Sequence, residues 1–410
     1  MIQSYLLPHE MIQMRVIGNR YQYVAPILKK ASSHIALLNM QKWVSIAGAV
    51  VQVLLIVLFS ITVPVIIVKA STVWCDWGSA SPTIMSCDIA ENTLSGVSYE
   101  ASGHVSLGCN PSATSYVGGT LSNCNIYGNR WGVSLSTRRG HGSAGIASPR
   151  IIKNHIYGHI LGGISISGSY WTSARIEDNV IGDNMGPGIY CTSTIRGPSI
   201  SYNLISRNAE DGVYCTNPSA AIEYNYIVDN GGNGVNAGNL KSFHHNGIMS
   251  NSLFQCVFLG SADQIAVDND WGTSDSNEID GLIYDHFDDP ILGTVQYVPI
   301  LTVDDSKPTI TSVNPVADDS EVDLDVVIQV TFSEDMRAST LNGDTVTLFE
   351  GDNKVPGKIN YSEGVLEFDP DELLIGETVY ILTLSSDIQE ATYLKNSIDT
   401  FTTSFVGKKN

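Results

Sequence analysis

Between residues 121 and 251 the chain repeats one short frame of apolar and polar positions: apolar-x-x-Asn-x-Ile-x-x-Asn, then Gly about four residues on, then apolar-x-small. The copies read LSNCNIYGNRWGVSLS from Leu121, IIKNHIYGHILGGISIS from Ile151, IEDNVIGDNMGPGIYCT from Ile176, ISYNLISRNAEDGVYCT from Ile200 and IEYNYIVDNGGNGVNAG from Ile222, with a worn copy, FHHNGIMSN, from Phe243. One column holds Asn154, Asn179, Asn203, Asn225 and Asn246, with Cys124 in the earliest copy; a second holds Ile126, Ile156, Ile181, Ile205, Ile227 and Ile248. Alternating apolar positions make short strands that line a core. A period of roughly 20–25 residues makes each copy one coil of a stacked solenoid, with strands about 4.8 Å apart. An Asn at the same corner of every coil both donates and accepts, so the column predicts a ladder of amide hydrogen bonds beside the Ile stack. The second Asn (Asn129, Asn184, Asn208, Asn230, Asn251) and the later Gly are expected to provide corners that tolerate positive φ.

After the last copy comes Trp271-Gly272-Thr273-Ser274-Asp275, a predicted short helix around Glu278–Phe287, and a final strand. Its task is to close the open end of the core, with Trp271, Ile279, Ile283 and Phe287 as the plug. Residues 304–308 form a polar linker ending in Pro308. Beyond it the runs VVIQVTFS, DTVTLFE, GVLEFDP, TVYILTLS and DTFTTSFV predict a β-sandwich over 309–406.

The repeat resembles the right-handed parallel β-helix of the pectin-lyase-like superfamily, and the resemblance, not the repeat, supplies the handedness. The C-terminal region resembles the bacterial Ig-like domain of surface-layer and other exported proteins, through Asn314-Pro315, the strand ending Thr331-Phe332-Ser333-Glu334-Asp335-Met336, and Thr340-Leu341-Asn342. That resemblance implies a structural module. The expected fold class is therefore all-β: a parallel β-helix over 71–303, then an Ig-like sandwich, behind one N-terminal transmembrane helix.

The helix is read from residues 44–68, which carry no charge and are long enough to span a bilayer. Arg15, Arg20, Lys29, Lys30 and Lys42 against Glu10 keep residues 1–43 cytoplasmic and send the rest outward. A signal peptide starting at Met40 is the alternative. Both place the mature mass outside the cytoplasm. All seven cysteines lie beyond this segment, where disulfides are permitted. With 42 acids against 22 bases and a net charge of −20, the chain lacks the basic surface that nucleic-acid binding needs. From Val303 onward it carries 21 acids against 7 bases, so the acidity is concentrated in the sandwich and says little about what the solenoid binds.

Candidate chemistry comes from the register. Two residues before the ladder Asn, side chains point outward: Ile152, Glu177, Ser201, Glu223 and His244. The neighbouring column adds Lys153, Asp178, Tyr202, Tyr224 and His245. Glu177 and Glu223, two rungs apart at about 9–10 Å, fall at the upper edge of the separation for inverting glycoside hydrolysis. Lys153, Asp178, Tyr202, Tyr224, His244 and His245 are the glycan-contact candidates, the tyrosines as flat platforms with a hydroxyl handle. The bland alternative is a solvated outward face. Cys191 and Cys215 share a column at a spacing that permits a disulfide or a stack of buried thiols. Pairings among Cys75, Cys87, Cys109 and Cys124 are not assigned. Gly140-His141-Gly142-Ser143 matches a polygalacturonase motif only superficially, since no acid pair precedes it. Gly231–Asn236 reads as a turn rather than a calcium nonapeptide. The run Asp318, Asp319, Glu321, Asp323, Asp325 reads as a solvated loop, so calcium has no motif behind it and no cofactor or metal site is expected. The β-helix protein of nitrous-oxide-reductase copper maturation shares the repeat, but no Met/His/Cys cluster stands at copper-ligand spacing.

These readings converge on a membrane-anchored extracellular protein that contacts polysaccharide or envelope components, does not bind nucleic acid, and serves in glycan binding, adhesion or envelope structure. The alternative is a polysaccharide lyase or glycoside hydrolase of the parallel β-helix type.

Overall fold

The computed structural model describes residue 81 and residues 83–102, 115–138, 145–168, 171–192 and 196–409, with the backbone of several extended segments before residue 81. The chain divides into two compact units, Met1–Leu301 and Thr302–Asn410.

In the first unit each coil contributes three short parallel strands. Face one is a seven-stranded sheet running from Thr83–Met85 to Ser242–His244. Face two stacks Asp88–Ala90 through Gly247–Met249, and face three stacks Ser95–Ser102 through Cys256–Phe258. Pairing is in register down every column: Ile151, Ile176, Ile200, Ile222 and Phe243 on face one, and Ile126, Ile156, Ile181, Ile205, Ile227 and Ile248 on face two. All of these are buried, and each such side chain contributes roughly 1.5–3 kcal/mol. A fourth short sheet (Ser115–Val117, Gly145–Ala147, Trp171–Thr172) lengthens the early coils. It explains why the ladder interval falls from 30 residues at Cys124–Asn154 to 21 at Asn225–Asn246.

The Asn ladder is present and fully bonded. Asn179 Nδ2 donates to Asn203 Oδ1 at 3.0 Å, Asn203 to Asn225 at 2.9 Å and Asn225 to Asn246 at 3.0 Å. Each Nδ2 also reaches the strand of the preceding rung, as from Asn203 to Ile176 O at 2.9 Å. Asn269 ends the row.

The second Asn column differs from the expectation. It is a second buried ladder, running Asn184 to Asn208 (2.8 Å), Asn208 to Asn230 (2.9 Å) and Asn230 to Asn251 (2.9 Å). Positive φ belongs to the residue before each Asn: Lys153, Asp178, Tyr202, Tyr224 and His245 at 56–57°, and Asp183, Arg207, Asp229 and Ser250 at 54–56°. The amide network holds these left-handed corners, which cost about 1–3 kcal/mol each for non-Gly residues. The later glycines are there for space. A Cβ on Gly212 would lie 2.7 Å from Ile227 Cγ2 and 2.8 Å from Asn230 Nδ2.

At the closing end, Trp271, Ile279 and Ile283 are buried as expected, but Phe287 is 86% exposed. The helix is only Ser276–Asp280. Asp285, itself buried, turns the chain by accepting from Phe287 N (3.0 Å) and Val295 N (2.8 Å), and this turn carries Phe287 outside.

The second unit is a sandwich of two antiparallel four-stranded sheets. One holds Ile310–Asn314, Ile328–Phe332, Val365–Pro370 and Gly357–Ser362; the other holds Asn353–Val355, Val346–Glu350, Val379–Leu384 and Phe401–Val406. Its core includes Val330, Leu348, Leu366 and Leu382, with Tyr380 stacked on Phe405 at 5.7 Å.

The side chains of residues 1–80 lie outside the described residues, and so does the expected anchor over 44–68. The backbone before residue 81 includes the strands Ala49–Phe59 and Pro64–Cys75. Among the described residues no helix is long and apolar enough to cross a membrane.

Candidate functional site

The outward positions of face one and the left-handed corner after it form one continuous surface. Strand register places Glu177, Ser201, Glu223 and His244 in a single column. The left-handed corners that follow place Tyr202, Tyr224 and His245 one above another. Their rings stack: Tyr202 and Tyr224 at 4.8 Å and 8°, Tyr224 and His245 at 4.8 Å and 25°. That separation is the inter-strand repeat itself, so the solenoid geometry dictates the stack. The expected flat platforms are therefore turned on each other. The row offers solvent its ring edges and polar tips rather than open ring faces.

The two candidate carboxylates have different surroundings. Glu177 has a side chain only 9% exposed and is bonded to Arg175 Nε at 2.6 Å. The Glu223 side chain is 28% exposed; it accepts a hydrogen bond from Ser242 Oγ and faces His244 Nε2 at 3.4 Å. His244 Nδ1 lies 2.8 Å from His245 Nδ1, a contact in which one ring donates and the other accepts. Burial, followed by the neighbouring His244, holds His245 below the usual histidine range and favours its neutral form. The upper rungs thus link Ser242, Glu223, His244 and His245 in one polar chain bordered by the tyrosine stack. Lys153 and Asp178 lie lower on the same corner column, outside this cluster.

The nearby bases are mostly engaged. Arg207 grips Asp183 through two bonds of 2.8 Å, Arg196 lies 4.5 Å over the Trp171 ring, and Arg175 is held by Glu177. Further ring pairs, which the frame did not single out as contacts, occur on the other faces: Tyr190 with Tyr214 at 5.1 Å and Tyr127 with Tyr157 at 5.3 Å. The signal was available in the recurring Tyr-Cys-Thr and Ile-Tyr-Gly triplets.

Cys191 and Cys215 are buried thiols in register on face three. A side-chain hydrogen bond to Cys191 and burial push the Cys215 thiol well above its ordinary range. In the sandwich, the acidic run is tied to the C-terminal strand, with Asp318 accepting from Ser404 Oγ at 3.1 Å and Asp323 pairing with Lys408. Among the described residues no group of three or more His, Cys, Asp or Glu side chains is placed to hold a metal ion.

Comparison with known proteins divides the chain as the structure does. Residues 108–271 match the right-handed β-helix region model, and residues 304–406 match the bacterial Ig-like domain model. No curated protein matches the chain. Among solved structures, the N-terminal part of the bacterial S-layer protein SbsC is 18% identical, with 25% of this chain and 24% of that one covered and a TM-score of 0.20. SbsC domains 1–6 are 17% identical over 26% of this chain and 14% of that one, with a TM-score of 0.21. Tailspike protein 2 of the Escherichia coli O157:H7 bacteriophage CAB120 is 10% identical over 83% of this chain and 64% of that one, with a TM-score of 0.30. The chain thus spans less than two thirds of each of these proteins.

Proposed function

Given a right-handed β-helix region joined to a bacterial Ig-like domain, we propose that the chain is a cell-envelope surface protein whose solenoid binds an uncharged, hydroxyl-rich polysaccharide without cleaving it. The apolar stretch 44–68 would be its membrane tether. The observation that carries the binding reading is the polar-edged row Tyr202, Tyr224 and His245 beside Glu223 and His244, whose 4.8 Å repeat offers hydrogen-bonding groups along successive rungs. Engagement of Arg175, Arg196 and Arg207 with their own neighbours leaves poor equipment for a polyanion and favours a neutral glycan. Burial of Glu177 against Arg175 removes one half of a two-carboxylate mechanism, which supports binding over hydrolysis.

One observation favours a second reading, a polysaccharide lyase or glycoside hydrolase. Glu223 facing His244, with His245 beyond, is a carboxylate-oriented imidazole of the kind that serves as a general base. A panel of neutral and acidic polysaccharides, scored for retention and for chain length, separates the readings. Retention of a neutral glycan at unchanged length supports binding. Shortening that Glu223→Gln abolishes establishes the enzyme instead.

A further inference from the structure

The first Asn ladder changes chemistry at its lower end. Strands Asp88–Ala90 and Asn125–Tyr127 pair with Asp88 opposite Asn125, and the residue before each is a cysteine. Cys87 and Cys124 therefore occupy the column held higher up by Asn154, Asn179, Asn203, Asn225, Asn246 and Asn269. The bonding is parallel too: Asn154 N donates to Asn179 Oδ1 at 3.0 Å, and Cys87 N donates to Cys124 Sγ at 3.4 Å. Sulfur stands where the amide oxygen otherwise stands. Adjacent rungs about 4.8 Å apart lie inside the Cα separation that a disulfide spans. Both residues are thiols, with Cys87 Sγ donating to Met85 O at 3.0 Å and Cys124 Sγ donating to Ser122 O at 3.2 Å.

The two differ as a reacting pair requires. Cys87 is half-buried and Cys124 buried. The neighbouring Cys124 side chain outweighs burial and lowers the Cys87 thiol to about 7, while the Cys87 side chain and burial raise Cys124. Thiolate is the attacking form, so Cys87 is the nucleophile. By contrast, Cys191, Cys215 and Cys256 are buried in the core.

We propose that Cys87 and Cys124 are a thiol–disulfide pair that closes into a covalent clamp between the first two rungs of the ladder. In the reaction, the Cys87 thiolate attacks a small disulfide, its S–S bond breaks and one thiolate leaves. Cys124 then gives up its proton and attacks the Cys87 sulfur, and the second thiolate leaves. The protein loses two electrons and two protons, and the small disulfide gains both and ends as two thiols. The closed ring includes residues 88–123, so the bond restrains a long loop and stabilises the early coils.

The test uses the reduced full chain, oxidised glutathione as oxidant, and peptide mass spectrometry without reductant. A Cys87–Cys124 linked peptide two hydrogens lighter than its parts is expected, together with a melting midpoint raised by several degrees. Cys124→Asn should complete the Asn ladder, keep the fold and lose the link, leaving glutathione on Cys87. Wild-type protein that stops at that adduct, remains reduced, or links Cys87 to Cys75 or Cys109 would overturn the proposal. A Cys124→Asn chain that fails to fold is replaced by Cys124→Ser, which must also lose the link.

Discussion

The solenoid and the sandwich are both all-β, yet their cohesion differs in kind. In the sandwich, Leu382 packs among Val330, Leu348 and Leu366 from both sheets, and the core is one closed cluster. In the solenoid each side chain meets copies of itself above and below, and two ladders of buried amides run beside the apolar column. A defect in the first fold is shared by the whole unit. A defect in the second is felt by its neighbours in the stack. Polar residues specify the solenoid, whereas apolar shape specifies the sandwich.

The largest effect expected is from breaking each fold at its own principle. Asn203→Leu removes the acceptor of Asn179 and the donor to Ile176 O, Ser201 O and Asn225 Oδ1. Several buried groups lose partners, so the cost should be about 3–5 kcal/mol. Leu382→Ala should cost about 2–5 kcal/mol. Calorimetry of the full chain should show the first shifting the solenoid transition alone and the second the sandwich transition alone; a common shift in both would contradict the separation. Gly212→Ala is next, at about 1–3 kcal/mol, because its Cβ meets Ile227, Asn230 and the Gly234 carbonyl at 2.7–2.8 Å.

A pH experiment sharpens the comparison further. His159 replaces Asn in the second ladder, where its Nδ1 accepts from Asn129 N at 3.0 Å. Burial lowers it from 6.5 to about 4. The unfolded chain therefore binds this proton first as pH falls, and stability is lost between about pH 6.5 and pH 4, by about 3 kcal/mol in total. His159→Asn should abolish that loss in the solenoid, leave stability near pH 8 little changed, and leave the sandwich transition unaffected. Urea unfolding at pH 4.5 and pH 8 reads the difference. The smallest stability effect belongs to Glu223→Gln, on a partly exposed group, at about 0–1 kcal/mol.

Much of this architecture was legible because a solenoid writes its geometry as a period. The Asn and Ile columns identify the stacked coils, and the alternating runs identify the sandwich. Other features were hidden because each depends on what lies in the next rung. Gly212 looks like a flexible corner until the Ile227 and Asn230 beside it are placed. Positive φ falls on Tyr202 and Tyr224, side chains with no intrinsic preference for it, because the following Asn is bonded into the ladder. His159 breaks the Asn pattern by name but keeps its acceptor role. Phe287 fits the apolar spacing of a plug, but the Asp285 turn carries it out to solvent. Sandwich strands Ile310–Asn314 and Asn353–Val355 are hard to see in the sequence because they alternate weakly or are only three residues long, and Gly357–Ser362, though it alternates strictly, carries only Ile359 and Tyr361 as large apolar residues. At the candidate site the sequence identified the columns but not the unlike surroundings of Glu177 and Glu223, which depend on Arg175, Ser242 and His244.

The functional reading rests on one surface, so the most direct measurement is calorimetric titration of the full chain with the neutral polysaccharide that the panel retains. Tyr202→Ala combined with Tyr224→Ala should weaken binding at least tenfold, about 1.4 kcal/mol or more, while the solenoid transition stays within about 1 kcal/mol of wild type. Equal affinity in the wild type and the double variant, or no binding by either, would contradict it.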